Sequence, residues 1–91
     1  MREQFREYLI KKGYKENTFS GKPSTVYDYI KRIDFVCNEE NTSWELLAND
    51  ISSIVSLYDK NGLKESLGNK SHRAVINALK QFQLFLLQEN L

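Results

Sequence analysis

The stretch Ser71–Leu91, SHRAVINALKQFQLFLLQENL, decides the fold class. Its apolar residues Val75, Ala78, Leu79, Phe82, Phe85 and Leu86 recur three and four positions apart. That spacing gathers them on one face of an α-helix, whereas a strand would scatter them over both faces. Ser71 stands ahead of the stripe as the expected N-cap, because its hydroxyl can accept a bond from a first-turn amide. Opposite the stripe, Arg73, Asn77 and Lys80 fall at i, i+4 and i+7 and form a polar face.

Working back toward the N-terminus, the same period returns. Ile51, Ile54, Val55 and Tyr58 form a stripe that Asp50 precedes as a cap and Asn61-Gly62 closes. Residues 61–70, NGLKESLGNK, are polar and read as a loop, with Leu63 and Leu67 tacking it to the core. Thr42-Ser43-Trp44-Glu45 fits a capping box, a hydroxyl at the N-cap with Glu three residues on. A short helix through Trp44, Leu47 and Ala48 follows it. Ser24 is the expected cap of a longer helix ending near Glu40, with Val26, Tyr29 or Ile30, Ile33, and Val36 or Cys37 inward. Tyr14 to Pro23 holds Asn, Ser, Gly and the only Pro, and reads as a loop. Phe5, Tyr8 and Leu9 mark a first helix over residues 2–12, stopped by Gly13. No segment alternates with period two for long enough to argue a strand. The expected fold is all-α: one domain over residues 1–91, a compact orthogonal bundle of four main helices plus one short helix.

Composition narrows the function. A hydrophobic share of 41% in 91 residues supports one small core and is too high for a disordered chain. One Cys and one His exclude a disulfide framework, a Cys-rich zinc site and a multi-histidine metal site. No apolar run approaches the ~18 residues of a membrane span. MREQFREYLIKKG carries acids and lacks the long apolar stretch of a signal peptide. These features predict a reduced, cytoplasmic domain with no cofactor, no small-molecule substrate and no membrane partner.

Catalytic constellations are missing. Cys37 falls on an apolar helix face, where a thiol behaves as a small hydrophobe. His72 lies in the first turn of the last helix beside Lys70 and Arg73 and is expected to face solvent. Adjacent Glu39 and Glu40 point about 100° apart on a helix, so they cannot act together on one substrate atom. Trp44, Phe82 and Phe85 have core spacing. There is no Gly-rich phosphate loop, HExxH or GxSxG. A non-catalytic protein is expected.

The near balance of 13 basic and 12 acidic side chains hides a segregation. Residues 1–22 hold six basic and three acidic side chains, residues 23–59 two and seven, and residues 60–91 five and two. The ends are positive and the middle negative, which predicts a folded domain with two faces of opposite sign. Local potential over a Debye length of about 8–10 Å, not net charge, governs polyanion binding. GKPSTVYDYI and GNKSHRAVIN also share a Gly-x-x-Ser lead into a long helix, with a Lys in each turn.

Three stretches resemble the N-terminal core-binding (SAM-like) domain of tyrosine recombinases and phage integrases. FREYLIKKGYKENT resembles the opening helix, and STVYDYIKRIDFV the second, with Thr25, Tyr29, Ile33 and Val36 at the family's spacing. KSHRAVINALKQFQLFLL resembles the final helix. TFSGKP lengthens the first loop relative to the family, and the catalytic domain that performs DNA recombination is missing. The chain is therefore expected to be either an excised fragment or a stand-alone product of a phage or other mobile element. The resemblance implies four or five helices gripping double-stranded DNA by phosphate and major-groove contacts. By position it implies Lys22, Ser24, Thr25 and Lys31 around the second helix. On the last helix it implies Lys70, Ser71, Arg73, Asn77 and Lys80. Arg73 and Asn77 would lie closest to base edges. An alternative expectation is a protein-interaction module, such as a nuclease or CRISPR inhibitor. It would dock a basic protein partner through Asp28, Asp34, Glu39, Glu40 and Asp59.

Overall fold

The computed structural model describes residues 1–16 and 25–89, and their regular structure is entirely helical. Six helices follow in order: α1 (Arg2–Lys11), α2 (Thr25–Glu39), α3 (Trp44–Asn49), α4 (Ile51–Tyr58), α5 (Glu65–Gly68) and α6 (Lys70–Glu89). The all-α expectation holds. α5 is a single turn lying within the stretch read as a loop. It was invisible to periodicity because four residues show no repeat.

Local chemistry sets the boundaries. After α1 the amide of Gly13 donates to the Ile10 carbonyl and that of Tyr14 to the Leu9 carbonyl. These two bonds make a Schellman stop, and Gly13 takes the required positive φ of 103°. α2 ends the same way, with Asn41 at φ 52° and the amides of Asn41 and Thr42 donating to the carbonyls of Asn38 and Cys37. At α3 the cap is Ser43, whose Oγ accepts from the Leu46 amide at 3.2 Å. The expected capping box is thus shifted by one residue, and Glu45 falls too early in the helix to close it.

The core joins all the long stripes. Phe5, Tyr8 and Leu9 of α1 meet Val26, Ile30, Ile33, Val36 and Cys37 of α2, and Val75 to Phe85 of α6. α6 is central, packing against α1, α2, α4 and α5. Phe5 is the aromatic hub: its ring lies 5.2 Å from Phe82, 5.5 Å from Phe85 and 6.0 Å from Trp44, tilted or edge-on. Such pairs add about 0.5–1.5 kcal/mol each beyond area burial. Trp44, Phe82 and Phe85 are core residues, as their spacing implied. Leu67 is half-buried against this core, but Leu63 is 95% exposed and tacks nothing down. The turn carrying Leu63 is held by its own backbone instead, with the Lys64 amide donating to the Leu57 carbonyl at 2.9 Å.

Candidate nucleic-acid interface

On α2, Tyr27, Lys31 and Phe35 are spaced i, i+4 and i+8 and so line one side of the helix. Tyr27 is half exposed, and the Lys31 ammonium lies 5.6 Å from its ring centroid. Phe35 is half-buried, and over its ring, at 5.0 Å, lies the ammonium of Lys70 from the start of α6. Two sequence-distant candidate lysines are thus brought onto one surface by aromatic rings. Among the described residues neither lysine has a carboxylate within salt-bridge distance. Thr25 is exposed at the head of the same helix. Lys22 and Ser24 lie outside the described residues.

The rest of the α6 face is arranged differently. Lys80 Nζ lies 3.1 Å from Asp59 Oδ2, and Arg73 Nη2 lies 3.9 Å from Asp59 Oδ1. The Lys60 amide also donates to Asp59, at 2.8 Å. That amide, then Lys80, holds the Asp59 carboxyl below its ordinary range. Arg73, Asn77 and Lys80 are all exposed. Arg73, however, is not in helical register with the other two.

Ser71, His72 and Arg73 have φ of 56°, 58° and 68°, a left-handed turn that merges into α6. Ser71 therefore does not cap the helix, contrary to expectation. Its left-handed backbone departs from the extended conformation an N-cap needs. His72 is exposed, as expected.

The acidic candidates are largely engaged within the chain. Asp34 accepts from Arg2 at 2.6 Å and from the Trp44 indole at 2.9 Å. Asp28 lies 3.2 Å from Arg32. Glu40 accepts from the Tyr58 hydroxyl and from Lys64. Asp59 is held as described. Glu39 alone of the five is exposed without an ion-pair partner among the described residues.

Sequence reasoning missed Tyr27 and Phe35, although their i, i+4 spacing about Lys31 was visible. Beside this face, Arg32 Nε is buried with no hydrogen-bond partner among the described residues. Cys37 is buried and its thiol is pushed up to about 11 by desolvation, which suits a core residue. No group of three or more His, Cys, Asp or Glu is placed to hold a metal among the described residues. None of the helices is long and apolar enough to cross a membrane, again among the described residues. No family model, curated protein sequence or solved structure matches the chain.

Proposed function

We propose that this chain is a non-catalytic module that binds duplex DNA across the surface where α2 meets the start of α6. It would act as an integrase core-binding domain does, the family whose sequence pattern it resembles. The observation that carries this is the seating of Lys70 over Phe35. It joins the α2 candidates to the α6 candidates on one surface. Among the described residues both ammonium groups there lack carboxylate partners, so a phosphate meets them without displacing an anion of those residues. Tyr27 offers an exposed ring beside Lys31 for sugar or base contact. Thr25, exposed at the head of α2, extends the proposed contact surface. Arg73 and Asn77 remain the candidates for base edges.

The alternative, a basic protein docking on the acidic middle segment, is less well supported. Four of its five carboxylates already hold cations of this chain, which a partner would have to displace.

Anisotropy of a short fluorescent duplex at low salt tests the proposal. The Lys31→Glu/Lys70→Glu variant should lose binding while its thermal melt stays near wild type. Each lysine made neutral should flatten the slope of log K against log salt by about 0.9. Unchanged affinity in the double reversal refutes the proposal.

A further inference from the structure

Tyr27 stands at one end of a short ladder in which rings and cations alternate: Tyr27, Lys31, Phe35 and, seated on Phe35, Lys70. From Tyr27 to Phe35 the ladder runs about 12 Å along α2, roughly three to four nucleotides of one strand at about 3.4 Å each. Its two rings differ in what they offer. Phe35 is half-buried beneath the Lys70 ammonium, whereas Tyr27 is 52% exposed.

Tyr27 also borders a cleft. Among the described residues Arg6, Glu16, Val26, Tyr27 and Ile30 line it, and its volume is about 130 Å³. That is well below the ~300–1,000 Å³ of a pocket for a drug-sized ligand, and suits one flat ring system. At about 100° per residue, Val26 and Ile30 lie to one side of Tyr27 around α2 and Lys31 to the other. The Tyr27 side chain therefore stands between the cleft and an ammonium group. Val26 and Ile30 belong to the core and give the cleft an apolar floor. At the rim, Arg6 Nε donates to Glu16 at 2.8 Å and Arg6 Nη1 to Glu3 at 2.7 Å. That guanidinium is already engaged within the chain, so the cleft offers stacking and apolar contact rather than hydrogen bonds to a particular base.

Magnitudes decide what such a site takes from DNA. In a paired duplex both faces of every internal base are covered by its neighbours, and Tyr27 meets only sugars and base edges. Stacking on an aromatic side chain strengthens binding by about five- to a hundredfold per base. Pulling a paired base out of the stack costs as much or more, and least where the base is already unpaired. Tyr27 thus gains too little to open a paired duplex, but enough to hold a base that is already out.

We propose that Tyr27 and the cleft beside it bind a single unpaired nucleobase, so that the α2–α6 surface prefers a duplex carrying a bulged base to a fully paired one. Lys31 and Lys70 hold phosphates of the strand that carries the base. This inference rests on the DNA-binding function proposed above and deepens it.

Anisotropy titrations with two fluorescent duplexes, identical except for one extra unpaired nucleotide, test it in wild type, Tyr27→Phe and Tyr27→Ala. Wild type should bind the bulged duplex about five- to a hundredfold more tightly than the paired one. Tyr27→Phe should keep that preference, because it keeps the ring. Tyr27→Ala should lose it while its affinity for the paired duplex stays near wild type. A 2-aminopurine at the bulge should be quenched on binding wild type and not on binding Tyr27→Ala. Equal wild-type affinity for the two duplexes would overturn the base site and leave the duplex-binding function standing. A preference that survives in Tyr27→Ala would also overturn it, since the bulge would then be favoured only for its flexibility. Binding of neither duplex would remove the proposed function and the base site together.

Discussion

Glu40→Gln probes a part-buried polar junction where α2, α4 and the start of α5 meet. Glu40 follows the last residue of α2, Tyr58 closes α4, and Lys64 precedes α5. One oxygen of Glu40 accepts from the Tyr58 hydroxyl at 2.7 Å and from Lys64 Nζ at 2.6 Å. The Tyr58 residue is fully buried and the Glu40 side chain is 19% exposed. Glutamine keeps a carbonyl for Tyr58 but loses the charge that strengthens both bonds. A hydrogen bond to a charged group contributes about 1.5–3 kcal/mol, and a half-exposed ion pair about 0–1 kcal/mol. The expected loss is about 2 kcal/mol. At about 4–8 °C per kcal/mol for a domain of this size, the melt should fall by about 8–16 °C. The hydrogen bond from Lys64, opposed by desolvation, sets the Glu40 carboxyl below its ordinary value of 4.5. A depressed acid stabilises the fold above its unfolded pKa, and that stability drains as pH falls through the lower folded value. The gap between wild type and variant should therefore be full near neutral pH and close on acidification. Circular-dichroism melts from neutral to about pH 3 measure it. Equal melts near neutral pH, or a gap that persists in acid, would refute this account.

Gly68→Ala should be strongly destabilising, by about 3 kcal/mol in a urea titration, because its Cβ would fall 1.9 Å from the Tyr58 carbonyl oxygen and backbone must shift. Cys37 should resist thiol reagents near about pH 8 in the native state and react freely in denaturant, since burial pushes its thiol up to about 11 and only the thiolate attacks.

Helix positions were legible wherever a stripe ran for two turns or more. Phe5, Tyr8 and Leu9, the α2 residues from Val26 to Cys37, and Val75 to Phe85 all face the core that their spacing required. Gly13 and Asn41 end helices because the left-handed cap suits them, and Gly13 was readable as a stop. The failures share a cause. α5 has too few residues to repeat. Leu63 is apolar but sits on a turn whose geometry is dictated by backbone bonds to Leu57 and Asp59, so hydrophobicity had no vote in its exposure. Ser71 has the side chain of an N-cap, but its backbone conformation belongs to a three-residue turn that no single side chain encodes. The candidate interface was half legible. Its lysines were named, and the Tyr27 ring beside Lys31 is an i, i+4 pair that the spacing of α2 offered, whereas the seating of Lys70 over Phe35 follows from how α6 begins against α2.

Charge order along the chain predicted two faces of opposite sign, and folding rearranges that order. Arg2, from the positive first segment, pairs with Asp34 of the negative middle. Lys64, Arg73 and Lys80, from the positive last segment, pair with Glu40 and Asp59. Packing brings the three segments together, so segmental sums largely cancel in space and cannot by themselves define a face. What decides recognition is the remainder: cations that the fold leaves exposed without a carboxylate. Among the described residues, Lys31 and Lys70 are such a remainder on a shared surface, each resting on a ring that carries no formal charge. Arg73 and Lys80 are not, because Asp59 is between them. Neutralising Asp59 would enlarge the unpaired basic surface without adding a cation. On the proposed DNA-binding function, Asp59→Asn should therefore tighten the duplex in the anisotropy titration even as it removes an ion pair from the folded chain, and unchanged or weaker binding would refute this account.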